Sequence, residues 1–151
     1  MLTRRTLLST AVAAPAIALF AQTASAAEPE IFMVDGVAIR GTDPVAFFTD
    51  GEVVTGTSEF SVKWKGAIWF FASVENMEMF MGDPGAFAPQ FGGYCAFAMS
   101  KGYLASTDPE AWTIHEGKLY LNYSVNVRTI WSEDIPGNIA LGDANWPTIL
   151  G

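Results

Sequence analysis

A strand–turn–strand–helix pattern occurs twice in this chain, and few architectures accommodate the same unit twice in so short a polypeptide. In the first copy, Glu59-Phe60-Ser61-Val62-Lys63-Trp64 alternates like a half-buried strand. Lys65-Gly66 reads as a tight turn, and Ala67-Ile68-Trp69-Phe70-Phe71 as a second, more buried strand. Ser73 then opens a helix, with Glu75 in its first turn where negative charge suits the helix dipole. The expected core face of that helix is Val74, Met77 and Phe80, and Gly82-Asp83-Pro84 stops it. In the second copy, Ala111 to His115 is a strand, Glu116-Gly117 the turn and Lys118 to Tyr123 the return strand. Ser124 opens a helix whose expected apolar face is Val127, Ile130 and Trp131. Gly66 and Gly117 lie 51 residues apart, and the same step carries Ser73 onto Ser124, Val74 onto Val125 and Phe80 onto Trp131. Two copies are too few for a solenoid. The predicted fold class is α+β: a small single domain of two β-hairpin–helix units with antiparallel strands and short helices.

The remaining segments read as short elements around these units. Ile31 to Ile39 predicts a small hairpin with an Asp35-Gly36 turn. Asp43-Pro44-Val45-Ala46-Phe47-Phe48 predicts a short helix or turn, and Ala86-Phe87-Ala88 a helical turn. Gln90 to Ser100 reads as a glycine-led helix, and Pro136 to Pro147 as a last helix. No linker or low-complexity stretch divides the segment from 27 to 151.

Residues 1–26 read as an export signal. Arg4-Arg5 is a paired-arginine start, Ala11 to Phe20 is apolar, and Ala24-Ser25-Ala26 fits a small-residue cleavage site. The arginine pair points to the twin-arginine route and hence to a periplasmic location. The apolar stretch is short and alanine-rich for a bilayer core of roughly 30 Å. Cleavage after Ala26 removes both arginines, so 6 basic side chains would stand against 16 acidic ones. That balance argues against nucleic acid as a partner, because phosphate contacts need Lys and Arg. With half of the residues hydrophobic and 16% charged, the chain is not a disordered one. One cysteine and one histidine exclude a disulfide framework and a multi-histidine metal site.

Asp43-Pro44-Val45, the run Phe60 to Ser73, and Asn76, Phe80 and Asp83-Pro84 give the chain a resemblance to the YHS-domain family. Pro89-Gln90-Phe91-Gly92-Gly93-Tyr94-Cys95-Ala96 and Gly117 to Tyr123 resemble its exported branch more closely. The resemblance spans Ile39 to Trp146. It implies a small α+β domain at 27–151 and, for cysteine-bearing members, metal handling. The cysteine positions of those members are Ala46, Ala72 and Asn76 here, Val62 stands near the family's histidine, and Phe47 where tyrosine is common. The usual thiolate site is therefore missing, and no metal role passes to these residues.

Cys95 is the sharpest chemical candidate. It follows Gly92-Gly93 near an expected helix start, a setting that favours a thiolate. Met99 is four residues on, and His115 ends a strand. Thiolate, thioether and imidazole together suit copper or another soft metal, so Cys95, Met99 and His115 form one candidate metal set. The competing reading makes Cys95 a small buried hydrophobe, Met99 core filler and His115 a surface residue. Met77, Met79 and Met81 form a second soft-metal candidate, but Met77 and Met81 share a helix face while Met79 points elsewhere, so two core residues and one surface residue is the favoured reading. Turn and cap roles account for Asp43, Asp108 and Glu110. The many aromatic residues fill the core or line an apolar pocket near Gly92, Gly93 and Tyr94. Three functions stay open: an exported binding module for copper or another soft metal, a metal-free domain for a small ligand or periplasmic protein partner, and a thiol enzyme at Cys95. After signal cleavage no membrane partner is expected.

Overall fold

The computed structural model describes residues 11–16 and 27–151. The expected signal at 1–26 falls for the most part outside the described residues. Among the described residues no helix is long and apolar enough to cross a membrane.

Three dipeptides ending in glycine set the hairpins. At Asp35-Gly36, Lys65-Gly66 and Glu116-Gly117 both residues take positive φ, between 48° and 81°. This is the turn whose twist matches that of paired strands, and glycine tolerates its second position at no steric cost. The turns join β1 (Met33–Val34) to β2 (Val37–Ala38), β3 (Thr57–Trp64) to β4 (Ala67–Phe71), and β5 (Asp108–His115) to β6 (Lys118–Asn122). The first four strands form one sheet in the order β1-β2-β4-β3, and β5 and β6 form a second. All pairings are antiparallel except a parallel contact of Val37 with Ile68.

The two units repeat down to their irregularities. The β3–β4 register shifts between Thr57 and Ser61, and the β5–β6 register between Asp108 and Trp112. Each of those pairs is one step of 51 from its counterpart. After the hairpins come α2 (Val74–Gly82) and α5 (Val125–Trp131). The Ser73 hydroxyl accepts from Asn76 N and the Ser124 hydroxyl from Val127 N, each at 3.1 Å. Trp69 packs on Phe80 with ring centroids 5.0 Å apart, and the equivalent Tyr120 packs on Trp131 at 5.4 Å. The fold is thus the expected α+β domain of two hairpin–helix units.

Each helix buries one stripe: Asn76, Met77 and Phe80 in α2, and Val127, Arg128 and Trp131 in α5. Val74, expected in the core, is exposed, and so are its counterpart Val125 and Ile130. At 100° per residue Val74 lies about 120° round the helix from Phe80, and Ile130 about 100° from Trp131. One large aromatic per helix fixes the buried side, so these aliphatic residues fall off it.

The other segments frame the units. Asp43 precedes α1 (Ala46–Thr49), α3 (Pro84–Phe87) follows α2, and α6 (Ile135–Asn145) closes the chain against α4 (Ala96–Lys101). The continuous helix expected over Gln90 to Ser100 is in fact two pieces. Gln90–Gly93 is a tight turn with Phe91 and Gly92 at positive φ, Tyr94 and Cys95 are non-helical, and only then does α4 begin. The break has a steric cause. A Cβ on Gly92 would stand 1.8 Å from the Glu30 carbonyl oxygen, and the Gly92 carbonyl accepts from Phe32 N at 2.9 Å. The glycine lets an N-terminal segment press on this backbone.

Two cores result. Trp69, Phe71, Phe80, Leu119 and Leu121 belong to the first, and Phe91, Tyr94, Met99, Tyr120 and Trp131 to the second. Strand β6 lies between them, its alternate residues facing opposite ways. Gly92→Ala should cost about 3 kcal/mol through the clash and positive φ together. Gly36→Ala, in open space, should cost about 1 kcal/mol. Urea unfolding of both variants measures the contrast.

The second core also sets an alkaline limit. Burial raises the pKa of Tyr94 and Tyr120 above the ordinary 10.0, with Glu28 adding to the first and Asp143 and Glu116 to the second. The unfolded chain therefore loses these protons before the folded one does. It binds fewer protons above that value, so stability is full below it and falls as pH rises past it. Urea midpoints at about pH 8 and about pH 11 should show the drop, and Tyr120→Phe should shrink it.

Candidate functional site

Cys95 is 1% exposed, at the break before α4. Its Sγ accepts from Tyr123 N at 3.2 Å and faces Asn122 Oδ1 at 3.5 Å. The same Oδ1 accepts from Phe97 N at 3.0 Å, so a strand residue caps the start of α4. Asn122 itself is fully buried, and its Nδ2 has no hydrogen-bond partner among the described residues.

The first unit shows what this arrangement replaces. There Asp43 holds the equivalent place: its Oδ2 accepts from Ala72 N at 2.9 Å, and Ala72 is one 51-residue step before Tyr123. Asp43 also accepts from Val45 N, Ala46 N and Asn76 Nδ2. One carboxylate ties the end of β4, the start of α1 and the body of α2 together. In the second unit a thiol and an amide share that work. The Asp43 cap and the Asp108 Oδ1 bond to Glu110 N give these acidic residues local backbone roles.

Cys95 forms the floor of a cleft of about 280 Å³. Phe97, Ala98, Tyr103, Tyr123 and Val127 make its walls, and the lining is largely apolar. Tyr103 and Tyr123, 54% and 58% exposed, stand at its rim. The cleft size suits a single aromatic ring or a small apolar molecule.

The three expected metal ligands are not brought together. His115 pairs with Lys118 at the turn end of the second hairpin, whereas Cys95 touches Asn122 and Tyr123 at the other end. The intervening strand spans about 17 Å. Met99 is fully buried in the second core and does not line the cleft. Cys95 is the N-cap of α4, its carbonyl accepting from Met99 N at 2.9 Å, and the Met99 side chain packs into the second core. Among the described residues no group of three or more His, Cys, Asp or Glu side chains could hold a metal ion. Of the other thioethers, Met77 packs half-buried on the first core, while Met79 and Met81 are 44% and 58% exposed. One core residue and two surface residues stand where two core residues and one surface residue were expected, because Met81 lies at the exposed end of α2.

Gly92, Gly93 and Tyr94 serve the scaffold. The Gly93 carbonyl accepts from the Thr107 hydroxyl at 2.7 Å, and the Tyr94 hydroxyl donates to the Pro29 carbonyl at 2.7 Å. An aromatic-walled cleft of about 150 Å³ does adjoin Gly92, between Trp64, Phe91 and Trp146, but Gly93 and Tyr94 do not line it.

Sequence reasoning missed Asn122, Tyr103 and Tyr123. For Asn122 a signal existed. The step of 51 places it where the first unit has Phe71, and a lone amide in the run Leu119-Tyr120-Leu121 is out of pattern for a buried strand. Removing it tests its role: Asn122→Ala leaves Phe97 N without its acceptor and should cost about 1–2 kcal/mol, read from urea unfolding. Compared with described protein families, curated proteins and solved structures, the chain matches none.

Proposed function

We propose that this chain is an exported, non-enzymatic binding module of YHS-like kind, which takes a small apolar or aromatic ligand in the cleft above Cys95. The cleft carries the reading: apolar walls, a buried thiol at the floor and two exposed tyrosines at the mouth. Tyrosines in such positions offer a ring face to a ligand and a hydroxyl to water. His115, the single histidine, stands at the far end of the hairpin, so it does not pair with Cys95 as a base. The reading keeps the sequence expectation of export through residues 1–26 and of a periplasmic location. It sets a small ligand in the place of copper.

The test uses the mature protein and indole as probe. At ten times its Kd, indole should stabilise by about 1.4 kcal/mol, or about 5 °C in Tm. Val127→Trp fills the cleft from α5 and should abolish the shift without loss of its own cooperative melt. A shift that persists in Val127→Trp moves the binding site elsewhere. Protein that instead retains one equivalent of Cu(I), and loses it in Cys95→Ala, would restore the metal reading.

A further inference from the structure

Another cleft lies at the opposite end of the β5–β6 hairpin, between its turn and α6, with a volume of about 300 Å³. Its walls carry both signs of charge. His115 and Lys118 are directly paired across the strands, which sets their side chains on one face of the hairpin. Glu116 lines it from the turn, and Asp143 with Ile139 from α6. Tyr120, two residues after Lys118 and so on the same face, lines it too.

Tyr120 is the group that points to a ligand. The residue is 4% exposed, its ring held between Phe91 and Trp131. The other tyrosine of this core satisfies its hydroxyl on the Pro29 carbonyl. The Tyr120 hydroxyl has no hydrogen-bond partner among the described residues. Nor is it sealed in, since the enclosed partnerless side-chain atoms are Asn122 Nδ2 and Trp131 Nε1. It therefore opens on the cleft. Burial first, then Asp143 and Glu116, raise its pKa above the ordinary 10.0, and both carboxylates line the same cleft.

We propose that this cleft binds a small amphoteric ligand, one bearing an ammonium and a carboxylate group as a free amino acid does. The ammonium meets Glu116 and Asp143, the carboxylate meets Lys118 and His115, and the Tyr120 hydroxyl fixes the orientation between them. Charged hydrogen bonds of this kind are the strong ones, and their two signs reject a ligand with only one. This site is separate from the apolar cleft, and neither reading depends on the other.

The single histidine makes the test direct. One imidazole resonance reports on the cleft in the mature protein. The protein amino acids, added one at a time up to about 10 mM, should include at least one that shifts it saturably. Ethanolamine and propionate, each with one of the two charges, should not. Tyr120→Phe keeps the ring in the core and should weaken binding about fivefold to tenfold. Asp143→Asn, at an exposed position, should weaken it as well and serves if Tyr120→Phe folds poorly. No shift with any amino acid, an equal response to ethanolamine or propionate alone, or unchanged affinity in both variants would each overturn the proposal.

Discussion

In each unit a buried acceptor must receive the backbone N–H that follows the second strand, and this requirement holds the hairpin to the elements around it. The strand has ended at that part-buried N–H, so no ladder partner remains for it. Asp43 meets the need in the first unit, with both oxygens occupied by four N–H groups. A carboxylate so fully bonded tolerates complete burial. It fixes α1 against the end of β4 and brings α2 down over the hairpin. The contacts of Trp69, Phe71 and Phe80 follow from that geometry.

The second unit solves the same problem with weaker groups. Cys95 accepts the one N–H through sulfur, and Asn122 supplies the cap for α4. A thiol fills less of the polar space than a bonded carboxylate, and the Nδ2 of Asn122 stays unmatched. The first unit is thus a closed brace. The second is a looser one, and the apolar cleft opens beside it. The same scaffold position is thus filled by a fully bonded carboxylate in one unit and by a thiol and an amide in the other.

One hairpin carries both clefts. On a single face of β6 stand Lys118, Tyr120 and Asn122, with Leu119 and Leu121 turned to the first core. The Lys118 end opens on charged groups and the Asn122 end on apolar ones. Tyr120 sits between the two ends, fixed by its packing on Trp131. The strand is rigid because both faces are buried, and side chains mounted on it keep their positions.

Local features were legible in the sequence because they act through near neighbours. The glycine turns and the serine caps depend on residues a few positions apart, and the structure has each of them, while the strands begin at Thr57 and Asp108 and end at Asn122 rather than at the expected Glu59, Ala111 and Tyr123. The buried face of each helix was only partly legible. Hydrophobicity nominated Val74 and Ile130, but the position of one aromatic decided which side turned inward. The candidate site depended on distance across the fold, which spacing does not contain. Whether Cys95 met His115 was settled by their places at opposite ends of one hairpin. Met99 packs into the second core rather than the cleft at Cys95. Sequence by itself determined the repeated unit and its turns, through local sterics and hydrogen bonding. Tertiary packing alone decided which polar groups share a cavity, because only the folded chain brings distant side chains within reach.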